Sequence, residues 1–195
     1  MFGVVLERLW GPQKFLFFYL FCAFGSAFLH MGVDYMEISK FETLMANFVS
    51  NPNYGDFQQF FDKVNLGGLN VGARESIQEM SALLSEGNMS VASAAENYMK
   101  QYIDLKMSVP VVGASGAIMG LLIGFGMLFP EHELMLIFLP IPIKAKYFIP
   151  LIILGDLFLG VSNFQTGIAH FAHLGGALFG FLLILYWRNT GERLY

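Results

Sequence analysis

Cysteine and charge are both scarce in this sequence of 195 residues. The single cysteine, Cys22, excludes an intrachain disulfide framework and a CxxC metal site. Charged residues make up 13% of the chain, the net charge is −4, and lysine and arginine form no cluster, which argues against a nucleic-acid partner. Hydrophobic residues are abundant instead, at 55%, with a mean hydropathy of +0.56. This composition is typical of membrane-spanning helices rather than of a soluble domain.

Four apolar segments have about the length needed to cross a bilayer, which is roughly 20 residues. They are 15–33, 107–130, 147–162 and 168–187. Asp156 is the only carboxylate inside them, and we interpret it as a partnered structural residue or one near the water boundary. The sequence therefore predicts an all-α fold, a polytopic membrane helical bundle. A shorter apolar piece, 134–143, contains two prolines and is predicted to be an interfacial loop.

Residues 34–106 carry most of the charge, with ten acidic and five basic side chains. Helix-like apolar spacing, interrupted by Asn51-Pro52-Asn53 and Gly67-Gly68, predicts a soluble helical insert. We interpret it as a cap on the outer surface, with substrate gating as the alternative. The basic residues of the short loops fall on one side if four spans alternate, and that side is predicted to be the cytoplasm. These residues are Arg8, Lys14, Lys144, Lys146, Arg188 and Arg193.

The second apolar segment contains a serine between two glycines, Gly113-Ala114-Ser115-Gly116. Gly116, Gly120 and Gly124 then recur every four residues, a stripe of small residues that lets a neighbouring helix approach closely. A serine hydroxyl becomes a useful nucleophile only when a base takes its proton. Ser115 could therefore act as a nucleophile if a neighbouring helix placed a base such as histidine beside it.

The fourth apolar segment supplies such a histidine. His173, Gly176 and Gly180 fall on one face of a helix. Two glycine-striped helices can pack backbone to backbone, which would bring Ser115 within reach of the His173 imidazole. Neutral histidine suits the role of general base near neutral pH. No acidic residue is obviously placed to orient the ring, so we expect a Ser-His dyad.

Other readings of these polar residues remain open. A serine in a membrane helix usually bonds to its own helix or to a neighbour. His170 and His173 could be metal ligands at i and i+3, but a site needs three or four ligands, and His30 is the possible third. We favour no metal and no cofactor, since the dyad supplies both nucleophile and base. A transporter would predict inverted repeats or a polar path, and neither is evident.

Taken together, these motifs resemble the rhomboid family of intramembrane serine proteases. Residues 113–116 match its GxSG motif, and residues 172–180 match its AHxxGxxxG motif. The resemblance implies that Ser115 is the nucleophile and His173 the base. It further implies backbone support around the oxyanion at Gly113 and Gly116. Close helix packing is expected at Gly120, Gly176 and Gly180.

The resemblance also implies a reaction and a location. Rhomboids cleave transmembrane helices of other membrane proteins, so the expected partners are transmembrane protein substrates and the lipid bilayer. We expect a multi-pass protein of the bacterial inner membrane with a cytoplasmic C-terminus. The alternative is a catalytically inactive rhomboid-like protein, a fragment or pseudoprotease, that binds membrane helices.

The sequence departs from the family pattern in three ways. Residues 1–33 correspond to the end of family helix 2 plus helix 3, and residues 107–195 to helices 4–6, so four full spans of a six-span core are expected. The first helix and the HxxxN motif of the second are missing, which suggests a fragment or a misplaced start codon. The 34–106 insert between the third and fourth family helices is unusually long, and Met119 stands where some members have an aromatic ring.

Overall fold

The computed structural model describes residues 2–64, 66–108, 114–136, 139–162 and 169–191. Within these ranges the chain forms eight α-helices and one two-stranded sheet. The helices are α1 (Phe2–Trp10), α2 (Pro12–Ser50), α3 (Tyr54–Phe61), α4 (Val71–Ser85), α5 (Ala92–Met107), α6 (Ser115–Leu128), α7 (Ala145–Val161) and α8 (His170–Asn189). The strands are β1 (Glu133–Leu136) and β2 (Leu139–Lys144).

The chain divides into two compact units. One consists of Met1–Gly32 together with Val111–Tyr195, and the other of Val33–Pro110. The second unit contains the whole of the predicted 34–106 insert. Its breaks also fall where the sequence indicated, because α2 ends at Ser50 and a short 3₁₀ turn covers Leu66–Gly68.

The insert unit has its own aromatic core. Phe48, Phe60 and Met99 are almost completely buried there, and the rings of Phe41 and Phe60 lie 5.0 Å apart. Asparagine caps begin two of its helices, since the side chain of Asn53 accepts a hydrogen bond from the backbone of α3 and Asn70 does the same for α4. Apolar spacing and caps therefore agree about where these helices lie.

The other unit is built around α6 and α8. Its core includes Leu6 of α1, Phe18 of α2 and Ile184 of α8, all fully buried. At one end, the rings of Trp10 and Trp187 meet edge to face at 5.4 Å. The helical α1 agrees with the reading of the first residues as part of a helix.

Two of the described helices are long and apolar enough to cross a bilayer, α2 with 39 residues and α8 with 20. The apolar α6 is shorter, at 14 residues, and α7 has 17. The predicted span 107–130 is longer than the helix found there, because Met107 still belongs to α5 and α6 starts at Ser115. Ser108 is the C-cap of α5, so this helix ends inside the predicted span.

The segment predicted as an interfacial loop contains a β-hairpin. Strands β1 and β2 pair antiparallel, with Glu133 opposite Lys144 and Leu134 opposite Ile143. Both strands of a two-stranded sheet are edges, so Pro140 and Pro142 are tolerated although neither has an N–H to donate. The prolines therefore excluded a membrane span but not a strand.

Candidate active site

The glycines of α6 and α8 bring the two helix backbones into direct contact. A Cβ added to Gly176 would fall on the carbonyl oxygen of Gly116. One added to Gly120 would lie 2.9 Å from the carbonyl oxygen of Gly176, and one on Gly180 would lie 2.9 Å from the Cα of Gly120. No side chain fits at these positions without displacing backbone, which is the packing that a stripe of small residues permits.

The first part of α2 packs into the same junction. A Cβ on Gly116 would clash with the side chain of Ser26 and lie 2.9 Å from the carbonyl oxygen of Ala172. One turn along, Cys22 packs against Gly120. Three helices therefore meet around the start of α6. Gly113, the other expected glycine, lies outside the described residues.

Ser115 is the first residue of α6, and it is exposed. The first hydrogen bond of this helix runs from the Ile118 N–H to the Ala114 carbonyl at 2.9 Å. The N–H groups of Ser115, Gly116 and Ala117 precede this bond and have no acceptor within the helix. They form its electropositive end. Ser115 therefore stands at a helix terminus that favours negative charge.

His173 has a carboxylate partner on α7. Its Nδ1 lies 3.2 Å from Oδ2 and 3.3 Å from Oδ1 of Asp156. The Nδ1 atom of His170 lies 2.7 Å from Oδ1 of the same carboxylate. This geometry corrects the expectation that no acidic residue is placed to orient the ring. Asp156 is a partnered residue, as predicted, but its partners are the two histidines.

A glycine explains why α7 can bring Asp156 so close to α8. Gly160 lies one turn after Asp156 on the same helix face, and a Cβ on Gly160 would be 3.2 Å from the Cβ of His170. A larger side chain there would push the helices apart. The sequence signal was the single carboxylate in an apolar segment followed four residues later by glycine.

The three side chains are largely shielded from solvent, with exposed fractions of 6% for His170, 12% for Asp156 and 16% for His173. An ionised carboxylate in such a place needs hydrogen-bond donors, and the two imidazoles can supply them. When Nδ1–H of a neutral histidine donates to the carboxylate, Nε2 carries the free lone pair. A neutral His173 that donates Nδ1–H to Asp156 has its ring oriented by this contact and its lone pair at Nε2.

The helical bundle and its largely shielded Asp-His-His cluster define a nearly all-α protein with polar side chains gathered where apolar helices meet. Comparison with protein families identifies the family within this class. The rhomboid domain family matches residues 80–190, more than half of the chain. The chain belongs to the rhomboid family, as its motifs suggested. It is accordingly an integral membrane protein with a polytopic helical bundle, in a family of intramembrane proteases that generally use serine. No curated protein and no solved structure matches it.

Proposed function

We propose that this protein is an intramembrane serine endopeptidase that cleaves transmembrane helices of other membrane proteins. Ser115 is the nucleophile and His173 the general base. One observation carries the proposal: Gly116 and Ala172, the immediate neighbours of these two residues, are packed together at the junction of α6 and α8. Both side chains project from backbones that touch, and neither is long.

The hydrogen bond to Asp156 prepares His173 for this role. With Nδ1–H donated to the carboxylate, Nε2 is the atom that accepts the proton of Ser115 as its oxygen attacks the scissile carbonyl. The imidazolium that forms is stabilised by the carboxylate, and it then gives its proton to the leaving amine. We therefore extend the expected dyad by Asp156 as a positioning residue, with His170 as a second donor to the same carboxylate.

The start of α6 can stabilise the oxyanion, which is the second charge that develops in the reaction after the imidazolium. Attack by Ser115 creates an oxyanion next to the first turn of that helix. Unpaired N–H groups aimed at developing negative charge typically lower the barrier by several kcal/mol, since one such donor is worth about 10²–10³ in rate. Gly116, the residue after the serine, adds no side chain of its own to this turn.

The location of the proposed nucleophile supports this substrate class. Backbone in a membrane has to be satisfied internally, so a substrate helix can unwind only where protein or water covers its freed groups. Ser115 lies at the end of a short apolar helix and is exposed, which suits a peptide that unwinds locally near the membrane surface. Substrates with small or helix-breaking residues near the cleaved bond should therefore be preferred.

We also propose the orientation given by the basic residues of the short loops, with a cytoplasmic C-terminus in a bacterial inner membrane and the 34–106 insert outside. Reporter fusions after the last helix and inside the insert test it. A fusion at residue 191 should be active only for a cytoplasmic reporter, and one at Gly87, in the turn after α4, only for an external one. The reverse pattern would refute this orientation.

A fluorophosphonate probe tests the proposed chemistry, because it modifies an activated serine. The wild-type chain should be labelled, Ser115→Ala and His173→Ala should not, and Ser108→Ala should be labelled like wild type because Ser108 only caps α5. Labelling that survives Ser115→Ala would refute this nucleophile. A folded wild-type chain that is not labelled would support the inactive, helix-binding alternative.

A further inference from the structure

The Asp156, His170 and His173 side chains direct three potential metal donors at one point. Each residue offers one ligand atom that lies within 4.8 Å of those of the other two. The Nδ1 atoms of both histidines contact the Asp156 carboxylate. Two donors come from successive turns of α8, and the third comes from the facing α7. The sequence provided only two histidines with ligand spacing and a distant His30, whereas the structure supplies the third donor from Asp156.

The spacing is close to that of a zinc site. Zinc bonds to histidine nitrogen and carboxylate oxygen of roughly 2.0–2.2 Å place tetrahedral ligands about 3.3 Å apart. Around Oδ1 of Asp156, the Nδ1 atom of His173 is already at 3.3 Å, and the Nδ1 atom of His170, at 2.7 Å, has to move away by about half an ångström. Three protein donors would leave a fourth position for water.

The donor types select the class of metal. Imidazole suits zinc, copper, nickel and cobalt, while magnesium and calcium prefer oxygen ligands. One carboxylate and two neutral imidazoles would leave a bound dication with a net charge of +1. We propose that Asp156, His170 and His173 form a binding site for Zn²⁺ and related transition metals, and that its occupation switches off His173 as a base.

The inhibition follows from the proton balance of the imidazole. Without metal, Nδ1–H of His173 donates to Asp156, and Nε2 is free to accept a proton. A metal on Nδ1 displaces that proton, which moves to Nε2 because a neutral imidazole keeps one ring proton. Nε2 then becomes a donor, and Ser115 loses its base. This inhibitory consequence rests on the proposed protease function, whereas metal binding itself does not.

Cobalt(II) tests the binding half, because its visible absorption reports nitrogen coordination. Tag-free, chelator-treated protein in detergent should bind one equivalent of Co²⁺, which Zn²⁺ displaces and excess Mg²⁺ does not. Asp156→Asn and His170→Gln should each weaken binding by at least about 100-fold, above the 10–100-fold typical of losing an outer-shell partner. His132→Gln is the matched control, since this exposed histidine packs on Phe125 outside the cluster.

Fluorophosphonate labelling with and without Zn²⁺ tests the inhibitory half. Zinc should suppress labelling of wild type and of His132→Gln, a chelator should restore it, and any labelling left in His170→Gln should resist zinc. No cobalt band in the wild type, or a band that persists in both cluster variants, would overturn the metal site. Binding without loss of labelling would overturn the inhibition. Binding in a protein that is never labelled would leave the metal site standing and refute the protease function instead.

Discussion

The backbone of Gly116 occupies the space that a side chain on Gly176 would need. Gly176→Ala should therefore force α6 and α8 apart and destabilise the protein by about 1–3 kcal/mol, the usual cost of overpacking. Because the same contact positions Ser115 relative to α8, fluorophosphonate labelling should fall with it. Thermal unfolding in detergent and the labelling rate measure the two effects.

Gly155→Ala is the matched control for this change. Gly155 lies within α7, and a Cβ added there would meet nothing within 4 Å. Alanine is favoured over glycine in a helix by roughly 0.5–1 kcal/mol, so this variant should be unchanged or slightly more stable. Equal destabilisation by both substitutions would mean that the α6–α8 contact has no special role.

Asp156→Asn tests the positioning of His173 without a large change of volume. An amide can donate to Nδ1 and so favour the tautomer with its proton on Nε2, which cannot act as base. We expect labelling of Ser115 to slow by about 10²–10⁴-fold, the range that general base catalysis contributes. Asp62→Asn, on the exposed end of α3, should label at the wild-type rate. An unchanged rate in Asp156→Asn would show that His173 works without the carboxylate.

Tyr102 in the insert should titrate at an unusually high pH. Burial, and secondarily the charge of Glu37, raises the pKa of Tyr102 from 10.0 to about 12. Because the folded-state pKa lies above the unfolded value, this group's contribution to stability is present below pH 10 and is lost as the pH rises towards 12. Ultraviolet titration of tyrosinate, with Tyr102→Phe as the reference, measures the pKa.

Glu37→Gln separates the two causes of that shift. It should lower the pKa of Tyr102 only in part, since burial is the larger cause. The substitution also removes the ion pair of Glu37 with Lys106, whose Nζ lies 2.6 Å from the carboxylate. A pKa that returns fully to 10 would mean that charge, not burial, controls this tyrosine.

Glu131 beside the hairpin should remain ionised to very low pH. Hydrogen bonds from Lys144 and Lys146 lower the pKa of Glu131 from 4.5 to about 2. A depressed pKa means that the contribution of these ion pairs is present above pH 4.5 and disappears as the pH falls towards 2. Carboxyl-detected NMR should show a larger upward shift of the pKa in Lys144→Gln combined with Lys146→Gln than in either single variant. No upward shift in the double variant would exclude the lysines as the cause.

The sequence predicted the parts of the site that depend on local spacing. Glycines at intervals of three and four residues fix which helix faces can touch, so the contact of Gly116 with Gly176 could be expected. The partnership of Asp156 with His173 depends on the register of α7 against α8. Gly160 helps to set that register, but the spacing of residues within one helix does not say which residue of the other helix they meet. The hairpin was missed for a similar reason, because pairing of Glu133 with Lys144 is a contact between strands.

The buried position of Cys22 gives this protein a practical advantage for spectroscopy. Its sulfur is packed against Gly120 and is fully shielded, so thiol reagents added to the folded chain should leave it untouched. Cysteines introduced at exposed positions such as Ser85 and Ser90 would then carry spin labels or fluorophores selectively. Distances within the insert could be recorded in a bilayer without first replacing the native thiol.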